Sequence, residues 1–291
     1  MAPKVQTGAV SPAALGRTLT HEHLAMDFTH FYRQPPPQLA DRFSGDMALN
    51  TVGYLRQYPY SWKSNLVLND EGSRVAVLND VLAYKKFGGG TIVENSTEGL
   101  QRDIAFYRQV SKQSGVHVVA GTGHYIADMQ ASPPGSTEDI YNHMLRELTE
   151  GCIDCVDVKA GFMGEIANFE RRAISAAGEL QERLGCGVSF HPHREPQAPF
   201  EIMRFYLEAG GRADKAVMSH LDKDEKLMEF ASLGCYCQFD LFGIEVSYYQ
   251  LNEPTDMPSD SQRIDKIRLL VDEGIENRVL MSHDIHTKHR L

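Results

Sequence analysis

Two histidines one residue apart, His21 and His23 in Thr20-His21-Glu22-His23-Leu24, stand at the end of an apolar stretch. On a strand, residues two apart point to the same side, so this pair can close on one ion where adjacent residues could not. Alone the pair proves little, because incidental core or surface histidines give the same spacing. Its weight comes from later segments that each end in a potential ligand after a short apolar run: Met163-Gly164-Glu165, Val188-Ser189-Phe190-His191, Val217-Met218-Ser219-His220 and Leu280-Met281-Ser282-His283-Asp284. Neutral imidazoles with a few carboxylates suit a borderline-soft divalent ion, and open coordination positions let such a site bind and acidify water.

Such a ligand set needs elements that deliver one residue apiece to a common end. Helix-like periodicity covers Glu71 to Phe87, about Leu100 to Ser114, Thr137 to Thr149, Phe169 to Leu184, Pro199 to Glu208, Asp224 to Leu233 and Ser261 to Glu273. Between them fall strand-like runs at Thr91 to Glu94, His117 to Ala120, Val156 to Glu165, Gly187 to His191, Ala216 to His220, Cys235 to Asp240 and Arg278 to His283. With the run into His21 counted first, the pattern is an α/β protein of the (β/α)8, or TIM-barrel, class, lacking its last helix and occupying residues 1–291 as a single domain. Barrel active sites lie at the carboxyl ends of the strands, where all the candidate ligands fall. A doubly wound open sheet would place a ligand at one switch point instead.

Composition narrows the function classes. The 291 residues are 42% hydrophobic, enough for one large core, and carry a net charge of -10 without a Lys/Arg stripe, which argues against nucleic acid. No apolar run approaches the ~18 residues of a membrane span, and Met1-Ala2-Pro3-Lys4 opens no signal-peptide core; the expected location is the cytosol. Five cysteines are too few and odd in number for a disulfide framework, and Cys152-Ile-Asp-Cys155 reads as packing before redox or zinc chemistry. Gly88-Gly89-Gly90 is a helix stop that lacks the Lys-Ser/Thr of a phosphate cradle, and Asn95-Ser96-Thr97 matches a glycosylation acceptor only formally.

Longer motifs around the ligands carry a family resemblance. Gly16-Arg17-Thr18-Leu19-Thr20-His21-Glu22-His23-Leu24, Lys159-Ala160-Gly161-Phe162-Met163-Gly164-Glu165-Ile166, Met218-Ser219-His220-Leu221-Asp222 and Ser282-His283-Asp284-Ile285-His286-Thr287-Lys288 resemble the phosphotriesterase-related family of the amidohydrolase superfamily, over essentially the whole chain. The resemblance implies two divalent metal ions, usually zinc. His21, His23 and Asp284 would hold the buried ion, His191 and His220 the more exposed one, and Glu165 would bridge them. Some relatives bridge with a carboxylated lysine; no lysine occurs from Ala160 to Glu170, which leaves Lys159 as the fallback. A hydroxide shared by the ions would be the nucleophile. Asp284 would move its proton, or would be a structural aspartate.

The implied substrate is a small, anionic N-acyl amide such as N-acetyltaurine; an esterase, lactonase or phosphotriesterase is the alternative. Tyr125 is a candidate to hydrogen-bond substrate or to pack in the core. Arg194, His286 and Lys288 are candidates for an anionic tail, with plain solvation as the default. His193 follows Pro192 and reads as a rim residue, while Glu22 and His283 should face the surrounding helices. Two departures from the family pattern support a further alternative, a truncated variant that does not catalyse: the chain ends at Leu291, and Ala167 replaces the usual glycine before a shortened loop. The sequence leaves the oligomeric state open.

Overall fold

The computed structural model describes residues 8–126, 129, 135–167, 171–224, 226–246 and 248–291. Eight parallel strands follow one another in a single sheet in chain order: β1 (Arg17–Glu22), β2 (Gly89–Glu94), β3 (His117–Thr122), β4 (Phe162–Ala167), β5 (Val188–His191), β6 (Ala216–Met218), β7 (Tyr236–Phe239) and β8 (Val279–Met281). Two short helical segments, α1 (Pro12–Leu15) and α2 (Val52–Gln57), precede the helices that connect the strands: α3 (Glu71–Lys86), α4 (Ile104–Ser114), α5 (Thr137–Thr149), α6 (Arg171–Leu184), α7 (Ala198–Glu208), α8 (Leu227–Ala231) and α9 (Asp260–Asp272). The fold is the expected (β/α)8 class. Among the described residues no α-helix follows β8; Lys288–Arg290 forms a single 3-10 turn. Among the described residues no helix is long and apolar enough to cross a membrane.

Local chemistry sets the helix ends. Asp70 accepts a hydrogen bond from the Ser73 amide to start α3, and Asp103 does the same from Phe106 for α4. Reciprocal capping boxes open α5 (Ser136 with Asp139) and α9 (Ser259 with Gln262). Gly115 stops α4 at φ 69°, a conformation that costs a residue with a Cβ. One apolar cluster lies between β4–β8 and helices α5–α9, and a second packs β1–β3 against α3 and α4. A third, with Met26, Phe28, Tyr60, Leu66, Leu100 and Tyr125, forms a layer of loops above the carboxyl ends of the strands.

Three details bear on the site. In β4 the register runs Met163↔Val188 and then Ile166↔Phe190, and in β1 Leu19↔Ile92 and then Glu22↔Glu94, so each strand carries one extra residue just where Glu165 and His21 sit. The β8–β1 seam contributes no ladder among the described residues. It is closed by Asp284 N–H donating to the His21 carbonyl (3.1 Å), His21 N–H to Ser282 Oγ (3.0 Å), and Ser282 Oγ and His283 N–H to Glu22 Oε1 (2.8 and 2.9 Å). The expected fourth strand begins too early: β4 starts at Phe162, and Cys152 to Val158 form a tight turn held by Arg102, which pairs with Glu147 and Asp154. Val156 is 69% exposed there, so its apolar character does not mark a strand.

Candidate metal centre

All six ligand candidates meet at the carboxyl ends of the strands. His21 is the penultimate residue of β1 with its side chain wholly buried, His23 follows the strand, and Glu165, His191 and His220 arrive from β4, β5 and the end of β6. Asp284 follows β8 and brings Oδ1 to 3.1 Å from His23 Nε2 and 3.8 Å from His21 Nε2. Glu165 lies between two groups of nitrogens. Its Oε1 is 3.7 Å from His23 Nε2, while Oε2 is 3.6 Å from His21 Nε2 and 2.7 Å from His191 Nδ1. His191 Nδ1 is in turn 2.9 Å from His220 Nε2. Two clusters with metal-ligand spacing, His21/His23/Glu165 and Glu165/His191/His220, therefore share Glu165. Lys159 precedes β4 at the opposite end of the barrel and is ruled out of this position.

The donor set fits cations. His21 Nε2 is buried and has no hydrogen-bond partner among the described residues, an arrangement that costs stability unless something occupies the lone pair. Burial disfavours charge on His21, yet Glu165, Asp240 and Asp284 outweigh it and raise its pKa to about 10. Burial likewise opposes ionisation of Glu165, but His191 and His21 hold its carboxyl down at about 2. Burial shifts His191 the other way, but a pocket that stabilises a proton on the wholly buried His21 this strongly carries surplus negative charge around it, which divalent ions would neutralise.

Groups behind the ligands fix their tautomers. Asp240, wholly buried after β7, accepts from His21 Nδ1 through Oδ2 and from His220 Nδ1 through Oδ1, both at 2.8 Å, turning both Nε2 atoms to the centre. Ser96 does this for His23: its Oγ accepts from Nδ1 (2.9 Å) and donates to Glu94 (2.7 Å). Asp222 accepts from the Asp240 and Leu241 amides and is itself held by Arg263 Nε of α9 (2.7 Å). His220 (φ 59°) and Asp284 (φ 48°) hold left-handed backbone that costs ~1–3 kcal/mol and persists only where packing enforces it. Asp240 escaped the sequence reading, although it ends a strand-like run as the ligands do. Asp240→Asn offers an amide nitrogen where a carboxylate oxygen is needed, so metal affinity should fall about 10- to 100-fold. Chelator competition would measure this, and unchanged affinity would refute the orienting role.

Above the centre lies a cavity of about 80 Å3, room for about two or three water molecules. Phe28, Tyr60 and Tyr125 form an aromatic wall, with Tyr125 buried and edge-on to the His191 ring at 5.1 Å. Arg194, His193, Lys223 and Tyr249 line it from the loops after β5, β6 and β7. His286 also reaches it, between the Asp284 carbonyl (2.8 Å from Nδ1) and the Tyr60 hydroxyl (3.0 Å from Nε2). Lys288 does not line this cavity. Its amine pairs with Asp70 at the start of α3; burial raises the Asp70 pKa, but this partner outweighs it and the carboxyl stays below its ordinary range. Glu22 and His283 pair away from the ligands, as expected, beside Val77 and Tyr84 of α3. The shortened loop after Ala167 falls on 168–170, outside the described residues.

All five cysteines are free, and burial followed by the Glu147 charge pushes the Cys152 thiol up to about 12. The Glu147/Cys152/Asp154 cluster is already neutralised by Arg102, so packing remains the better reading of this motif.

Comparison with known proteins adds relatives. A model of the phosphotriesterase family matches residues 3–291. The phosphotriesterase-related proteins of Drosophila yakuba and Drosophila melanogaster are each 54% identical to this chain, over 304 and 302 residues, with 99% of this chain and 86% of each relative covered. Among solved structures, a resiniferatoxin-binding protein from Rhodobacter sphaeroides aligns with a TM-score of 0.88 at 27% identity, covering 97% of this chain and 81% of that one. A phosphotriesterase homology protein from Escherichia coli gives 0.74 at 22% identity, covering 96% and 85%, a likeness of fold.

Proposed function

The chain belongs to the phosphotriesterase family of metal-dependent hydrolases, and from that membership we propose that it hydrolyses small N-acyl amides whose amine side carries an anion, with N-acetyltaurine as the lead substrate. Two divalent ions, zinc in this proposal, would be held by His21, His23 and Asp284 on one side, His191 and His220 on the other, and Glu165 between. When bound, such a pair supplies Lewis acidity toward the amide carbonyl and lowers the pKa of water from about 16 toward 7.

The chain's own residues do the rest. Asp240 and Ser96 keep the imidazoles in the ligating tautomer. Asp284 takes the proton released as water attacks and returns it to the amine that leaves. The aromatic wall excludes water from the acyl side, and Arg194 binds the anionic tail. The observation that carries the amide reading is Arg194. Among the described residues it has no carboxylate partner, and its Nε is buried without an acceptor. An anionic substrate supplies what is missing, whereas a neutral phosphotriester or lactone would leave that charge uncompensated.

Purified, metal-loaded protein should release acetate from N-acetyltaurine and leave aryl phosphotriesters and lactones largely untouched. The reverse pattern would replace the amidase reading with the esterase or phosphotriesterase one.

A further inference from the structure

The cavity is chemically lopsided. Toward the loops after β1, β3 and β8 it presents Phe28, Tyr125 and the Tyr60–His286 pair; toward those after β5, β6 and β7 it presents Arg194, Lys223 and Tyr249. Arg194 lies over the Tyr249 ring, 5.5 Å from its centre, and its Nη2 donates to the Tyr249 hydroxyl at 3.3 Å. The Lys223 amine makes no hydrogen bond or ion pair among the described residues, while burial and the nearby Arg194 both disfavour its charge. Glu195 and Asp224 act on Lys223 from a distance in the opposite sense, but neither makes a direct ion pair with it. In a chain of net charge -10, two cations without a direct ion pair among the described residues on one wall of one cavity are a local exception to the overall balance.

We propose that Arg194 and Lys223 together form the subsite for an oxyanion head group, so that substrate lies in one direction only: head against β5–β7, acyl group against the aromatic wall. The inference rests on the amidase reading, whose orientation it keeps, and adds the second cation to it. A guanidinium fork and an ammonium from two loops offer donors to separate oxygens of one head, and the negative charge of that head offsets the repulsion between the two cations. Lys223 carried no sequence signal, because nothing in Leu221-Asp222-Lys223 distinguishes it from a solvated lysine.

The test uses the full metal-loaded chain and three N-acetyl amides with the same two-carbon spacer, ending in sulfonate, carboxylate or a neutral hydroxyl. Arg194→Met and Lys223→Met should each lower the ratio of kcat/KM for sulfonate over hydroxyl by about 10- to 100-fold, mainly through KM. A loss shared by the carboxylate substrate assigns oxyanions in general, and a loss confined to the sulfonate assigns that head; both support the subsite. An unchanged ratio in both variants overturns it. Calorimetric titration with ethanesulfonate separates this from failure of the amidase reading, because it needs no turnover. With metal content equal, binding about 10-fold or more weaker in the variants supports the subsite even if no amide is cleaved, and equal binding overturns it.

Discussion

Glu165→Ala should yield a folded chain that holds at most one divalent ion and has lost on the order of 10^3-fold or more in kcat/KM. Glu165 is the one side chain common to the two candidate clusters, His21/His23/Glu165 and Glu165/His191/His220, with Oε2 between His21 and His191 and Oε1 toward His23. With its carboxyl held at about 2, it is ionised at any pH at which the enzyme would work. Removing it leaves the two groups of nitrogens without a shared anion and leaves His21 facing Asp284 alone across the centre. Elemental analysis beside a circular-dichroism spectrum reads the result. Two ions per chain in the alanine variant would sink the bridging role, and little metal in the unmodified chain would favour the non-catalytic variant.

Asp284→Asn separates ligation from proton transfer. Burial works against ionisation of Asp284, but the charges of His286 and His21 outweigh it and hold the carboxyl well below its usual range. It is therefore ionised, the form that both ligation and proton acceptance require, and a weak base until the neighbouring charges change. The amide keeps an oxygen for the metal and cannot take that proton. We expect kcat to drop about 10^2- to 10^4-fold while most of the bound metal stays. A loss under about tenfold, with metal retained, would make Asp284 a structural ligand and return the proton to bulk water.

The convergence of the candidate ligands was legible because each ends, or nearly ends, an apolar run, and in a parallel barrel the end of the run is the place where sites form. His191 at the end of β5 and Glu165 within β4 show how far this goes. The bulges that aim Glu165 and His21 were not legible, since an extra residue in one strand is defined only by its partner's register. Asp240 carried the same strand-end signal as the ligands, but its role depends on two histidine nitrogens from different strands, a relation that no local pattern contains. Lys288 was placed by proximity to Asp284 in sequence, whereas the turn after Thr287 carries it toward α3 and Asp70. Val156 misled for the opposite reason: an apolar residue was read as strand where a buried Arg102 network dictates a turn.

The β8–β1 seam has a consequence in time. His21 and Ser282, whose contact helps to close it, stand 261 residues apart, and Asp284 lies beyond Ser282. At ~5–20 residues per second, a ribosome needs roughly 10–50 s to make that stretch. Throughout that interval His21 and His23 belong to a nascent chain whose last ligand does not yet exist. Completion of the proposed metal centre therefore waits on Asp284, and a ribosome stalled before that residue leaves a chain that can show most of the barrel and only part of the ligand set.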